Sequence, residues 1–137
     1  MNFPRALIFA GVLYVIGVLL LLATGYRLDH TVPTLLSYIV LWVFMIPAVL
    51  FFAKWYFHPI SPTAKAGFFL GVTTLMCGFF LDSVIVILFG NDIALSSFYA
   101  LVYGDWKFFI FAIEILLLTM YAGYEFDTTY TAIASQK

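Results

Sequence analysis

Apolar residues along this chain come in long, nearly unbroken runs separated by short polar breaks. Four runs stand out, at about residues 6–24 (ALIFAGVLYVIGVLLLLAT), 35–53 (LLSYIVLWVFMIPAVLFFA), 66–90 (AGFFLGVTTLMCGFFLDSVIVILFG) and 106–124 (WKFFIFAIEILLLTMYAGY). Each is close to the ~20 residues a helix needs to cross a bilayer core of about 30 Å. None alternates apolar with polar residues in segments of about ten, as a membrane β-barrel would. Runs of this length favour helix over strand, and in lipid a helix satisfies its own backbone hydrogen bonds where an open sheet cannot. The pattern predicts an all-α fold, an integral membrane four-helix bundle, with residues 1–137 forming one four-span domain.

The breaks have physical causes. Residues 25–33 (GYRLDHTVP) carry charges and a proline. In KWYFHPISPTAK, Pro59 and Pro62 prevent a continuous helix, and Ser61 before Pro62 predicts an N-cap and first helical position for the third span. The third break, NDIALSSFYALVYGDW, is apolar and aromatic from Ile93 to Tyr103. This predicts a short segment lying in the membrane interface, with Tyr99, Tyr103 and Trp106 at headgroup level. Pro47 predicts a kink in the second span. The first run begins with Arg5 but is too long for a secretory signal core, so it reads as a retained span. Arg5, Lys54, Lys65 and Lys137 fall on one side, Arg27 and Lys107 on the other. That bias predicts both termini in the cytoplasm and the plasma (inner) membrane as the location.

Composition agrees with the spans. Hydrophobic residues make up 65% and charged residues 9%, with mean hydropathy +1.10, far too few charges to cover a water-facing surface. A net charge of −1 provides no basic patch for nucleic acid. The single cysteine, Cys77, lies in an apolar run and reads as a small hydrophobe. There is no glycine-rich phosphate loop and no Ser-His-Asp or Cys-His arrangement, so neither an enzyme nor a cofactor is expected. His30 and His58 lie in loops on opposite sides. His30 with Asp29, Asp92 and Asp105 lacks the spacing of a metal site.

Two carboxylates interrupt the hydrocarbon pattern. Asp82 lies about 12 Å below the outer end of the third run, and Glu114 about 13 Å below the outer start of the fourth. Adjacent antiparallel spans would place them at one depth. Gly67, Gly71, Leu75, Gly78, Asp82 and Phe89 share one face of the third span, and glycines on a face admit close helix approach. Lys107, Phe111, Glu114, Leu118, Tyr121 and Glu125 share a face of the fourth. If these faces meet, the carboxyls meet, and two close carboxylates share a proton or hold a cation. An ionised Asp at a helix centre costs about 2.5–3.5 kcal/mol. Protonating one at pH 7 costs roughly 4 kcal/mol, so burial alone does not decide its state. The bland alternative is a protonated acid bonded to a neighbouring Thr24, Ser37, Tyr38, Ser83 or Thr119. Trp42, about 12 Å inside the second span, could line the same pocket with its N–H as a donor.

The expected site is therefore a proton- or ligand-binding group of Asp82, Glu114, Trp42 and Tyr121, with no metal. It would serve a proton- or cation-linked transporter or a small-ligand binding protein. The alternative is a non-catalytic accessory or scaffold subunit. The expected partners are the bilayer and either a second copy, through the Gly67-x-x-x-Gly71 face, or another membrane protein; packing of those glycines between helices of one chain is the favoured reading of the face. The stretch KWYFHPISPTAKAGFFLGVTTLMCGFFLD, with the four-span layout, resembles small bacterial inner-membrane proteins to which no activity is attached. Four spans in a short chain also resemble the small multidrug resistance exporters in architecture. Those carry their key glutamate in the first span, which here has no acid.

Overall fold

The computed structural model of the protein describes residues 2–26, 33–58, 62–89 and 94–134, with side chains to residue 126. It is all-helical, in the order α1 (Phe3–Ala23), α2 (Leu35–Phe57), α3 (Ala64–Phe89), α4 (Leu95–Val102) and α5 (Trp106–Ala134). Four of these, α1, α2, α3 and the Trp106–Phe126 part of α5, are long and apolar enough to cross a membrane. The fifth, α4, is the short helix that the sequence reading placed as an interfacial segment.

The ends form where local chemistry allows. Asn2 Oδ1 accepts from Arg5 N at 3.4 Å, with a proline in the first turn of α1. Gly25, at φ 84°, closes the other end: Gly25 N donates to Leu22 O (3.0 Å) and Tyr26 N to Leu21 O (3.2 Å). This is the left-handed C-terminal turn that glycine adopts without strain. Thr34 caps α2 through Ser37 N (3.2 Å). Thr63 Oγ1 accepts from Ala66 N (3.0 Å) at the start of α3. The expected cap Ser61 lies outside the described residues, as do Arg27, Asp29, His30, Pro59, Asp92 and Lys137. Helix α2 runs on through Pro47, which is exposed.

Helix α1 packs on α2 and α3, and α5 packs on the same two helices. The order around the bundle is therefore α1–α2–α5–α3, with α4 against α3. Lys107 Nζ lies 5.6 Å from the Tyr38 ring centroid, and the Phe57 and Phe126 centroids are 6.4 Å apart. Helices α2 and α5 thus run parallel and in register at both ends.

The two ends of the bundle are built differently. The end where α1 begins (inner and outer being only labels for this end and the opposite one) is filled by Phe9, Tyr56 and Phe57, all buried, with ring centroids 6.2 and 5.0 Å apart along that series. Here α3 and α5 come close enough that a Cβ on Gly67 would sit 2.8 Å from Thr119 C and 2.9 Å from Met120 Cα. A Cβ on Gly71 would meet Thr119 Oγ1 at 2.5 Å, and one on Gly123 would meet Thr63 C at 3.0 Å. The Gly67–Gly71 face is thus used within the chain, against α5. Further out the glycine stripe turns to a different neighbour: a Cβ on Gly78 would find only Tyr14 Cδ2 of α1, at 3.9 Å. The outward faces of all four long helices carry exposed Leu, Ile, Val and Phe, such as Leu19, Phe44, Phe80 and Leu117, as suits contact with lipid rather than water.

Candidate functional site

Where the helices part in the outer half, they enclose a cavity of about 200 Å³. Leu13 and Gly17 of α1, Leu41 of α2, Thr74 of α3, Phe98 of α4 and Ile115 of α5 contribute to its wall. Almost all of the lining is apolar. Asp82 lies in this wall, one turn beyond Gly78.

Both Asp82 oxygens are occupied. Tyr14 Oη donates to Oδ1 at 2.5 Å from α1, and Tyr103 Oη donates to Oδ2 at 2.6 Å from the end of α4. No Lys or Arg among the described residues pairs with Asp82. Lys107 instead pairs with Asp105, Nζ to Oδ2 at 2.6 Å. Asp105 Oδ1 also accepts from Lys107 N at 2.9 Å, capping α5. The Lys107 side chain and then its amide hold the Asp105 carboxyl below the usual carboxylate range. Burial, reinforced by the Asp82 charge, pushes the Tyr103 hydroxyl above the ordinary phenol value, so it remains a donor.

Tyr103 reaches Asp82 because α4 folds against α3. Tyr99 hydrogen-bonds Ser83 and stacks on Phe79 (4.6 Å between centroids, 12° between planes). Tyr103 packs on Phe108, with centroids 4.4 Å apart. Tyr99 and Tyr103, expected at headgroup level, bond through their hydroxyls to Ser83 and Asp82 on α3. Trp106 remains 59% exposed, as an interface residue would.

The other expected site residues lie elsewhere. On α5 the residues against α3 are Leu116, Thr119, Met120 and Gly123. Glu114 lies two positions before Leu116, about 200° around the helix, so the face with Glu114 is turned away from α3. Glu114 does not line the cavity, and its Oε2 is buried without a hydrogen-bond partner. No hydrogen bond joins it to Asp82 among the described residues. The expected meeting of the two acids is therefore replaced by a carboxylate between two tyrosines. Trp42 lies outside the cavity too, its ring 6.0 Å from that of Tyr38 and its Nε1 buried without a partner. Tyr121 is 52% exposed. The alternative partners for Asp82 are engaged elsewhere: Thr24 lies 2.8 Å from Ser37 Oγ, and Thr119 bonds back to Ile115 O at 2.9 Å. No group of three metal-ligating side chains occurs among the described residues.

Tyr14 was within reach of sequence reasoning. It is the first hydroxyl-bearing residue of the first span and lies about 13 Å below the end of α1, within about 3 Å of the depth of Asp82 below the end of α3. Tyr103 was not, because its place depends on how α4 packs. No protein-family model matches this chain, nor does any curated protein or solved structure.

Proposed function

We propose that this protein is a small-ligand binding protein of the membrane, whose site is the Asp82 cavity. The observation that carries the reading is a carboxylate held by two tyrosine hydroxyls in an apolar cavity, with no basic residue among the described ones paired to it. Burying a charge for structure alone is costly, and a well-formed apolar pocket with a few convergent polar groups is the usual form of a ligand site. Arg5, Lys54 and Lys65 at the inner end and Lys107 at the other support an orientation with the N-terminus in the cytoplasm of a plasma (inner) membrane. Asp82 then lies in the outer half of the bilayer.

The test is photolabelling with a dodecyl diazirine probe in lipid nanodiscs. Labelling should concentrate on cavity residues such as Tyr14 and Val86, and Val102→Trp, which fills the cavity from α4, should abolish it there while helical content is unchanged. Labelling confined to the exposed outer faces of wild type would reject the reading.

A further inference from the structure

Resting on the cavity reading above, we infer that the ligand is a single-chain amphiphile with an ammonium head, its head at Asp82 and its chain leaving sideways between α1 and α3 into the outer leaflet. Three observations support this.

The first is charge. Asp82 receives two hydroxyl donors, from Tyr14 and Tyr103, and no cation from among the described residues. Two neutral donors orient a carboxylate without cancelling its charge. A head that brings its own positive charge gains an ion pair that the protein leaves open. An anionic head would be repelled, and a neutral hydroxyl would add only a third hydrogen bond. The rings of Phe79 and Tyr103 line the cavity with Asp82, and aromatic rings favour a cation over an anion.

The second is size. A cavity of about 200 Å³ is only slightly larger than the ~150 Å³ engineered cavity that holds benzene, and smaller than the roughly 300–1,000 Å³ of drug-sized sites. It suits a slender chain or one ring rather than a bulky body.

The third is where the wall is open. Leu22 lines the cavity and is also 56% exposed on the outward face of α1. Val18 on α1 and Ile85 on α3 likewise line the cavity while partly exposed. This flank is aliphatic, as a passage for a hydrocarbon chain would be, and it runs from Ile85, about one turn beyond Asp82, to Leu22 at the end of α1.

The experiment measures equilibrium binding of dodecylamine, dodecanol and dodecanoate to the full chain in phosphatidylcholine nanodiscs. Dodecylamine should bind at least about tenfold more tightly than dodecanol, with dodecanoate weakest. Asp82→Asn should remove the preference for the amine while dodecanol binding persists. Followed as a time course after amine addition, Leu22→Trp and Ile85→Trp should slow the approach to equilibrium, and Trp at the similarly exposed Leu19, outside the lining, should not. Displacement of dodecylamine by phosphatidylethanolamine would identify a lipid headgroup as the source of the ammonium, and failure to displace it would identify a free amine. Equal binding of amine and alcohol, unaltered by Asp82→Asn, would overturn the ammonium assignment and leave the cavity reading intact. Saturable binding of none of the three would overturn the cavity reading itself. Asp82→Glu, which keeps the charge, should retain the preference and so guards against misreading a folding defect.

Discussion

The inner and outer halves of this bundle use the same helices to opposite ends. At the inner end α3 and α5 touch backbone to backbone through Gly67, Gly71 and Gly123, and aromatic rings fill what remains. In the outer half the same pair diverges, α4 packs against α3, and the space left over contains a carboxylate. A glycine stripe is thus no guarantee of close packing along its whole length. Gly67 and Gly78 share one face in sequence, but one meets a backbone and the other a ring edge at ordinary contact distance.

The difference can be broken most severely at Gly67. Gly67→Leu would drive a side chain into the Thr119 backbone, which cannot give way, and should abolish the folded state, seen as loss of the monodisperse peak in detergent chromatography. Gly71→Ala should cost less, about 1–3 kcal/mol, because Thr119 Oγ1 can rotate; the readout is the thermal unfolding midpoint. Next comes Tyr14→Phe, which removes a hydrogen bond to a charged group and should cost roughly 1.5–3 kcal/mol. Equal midpoints for wild type and Tyr14→Phe would mean that the 2.5 Å bond contributes nothing. Asp82→Asn should unfold at the wild-type temperature or above it, since it relieves the burden of a charge inside the membrane. A functional residue often opposes stability in this way.

Asp105→Asn should produce a smaller loss with a defined pH dependence. Lys107 lowers the Asp105 carboxyl in the folded state. The stabilisation is therefore complete above the unfolded value near ~3.9 and disappears as pH falls through the folded value. The midpoints of variant and wild type should converge in acid and separate at neutral pH. Smallest of all, Gly78→Ala should be nearly silent. If it destabilised as much as Gly71→Ala, the two halves would not differ as described.

The spans, the intrachain use of the Gly67 face and the place of Asp82 within a span were legible in the residues, because run length, helical spacing and a lone charge in hydrocarbon are local properties. The partner of Asp82 was not. Depth alone admits both Glu114 and Tyr14, and what separates them is rotation about the helix axes. That rotation is set by Leu116, Thr119 and Gly123 packing on α3, a relation between segments roughly fifty residues apart. The bonding of Tyr99 and Tyr103 to Ser83 and Asp82 was hidden for a related reason. An aromatic, amphipathic short segment suits an interface, and nothing in it points to hydroxyl partners on another helix.

Isotope-edited infrared spectroscopy of the Asp82 carboxyl, in protein labelled at aspartate and assigned with Asp82→Asn, tests the arrangement most directly. Tyr14→Phe and Tyr103→Phe should each shift the carboxylate stretch, and Glu114→Gln should leave it where it is. A band moved by Glu114→Gln and indifferent to both tyrosine variants would return the site to a pair of facing acids and contradict the cavity described above.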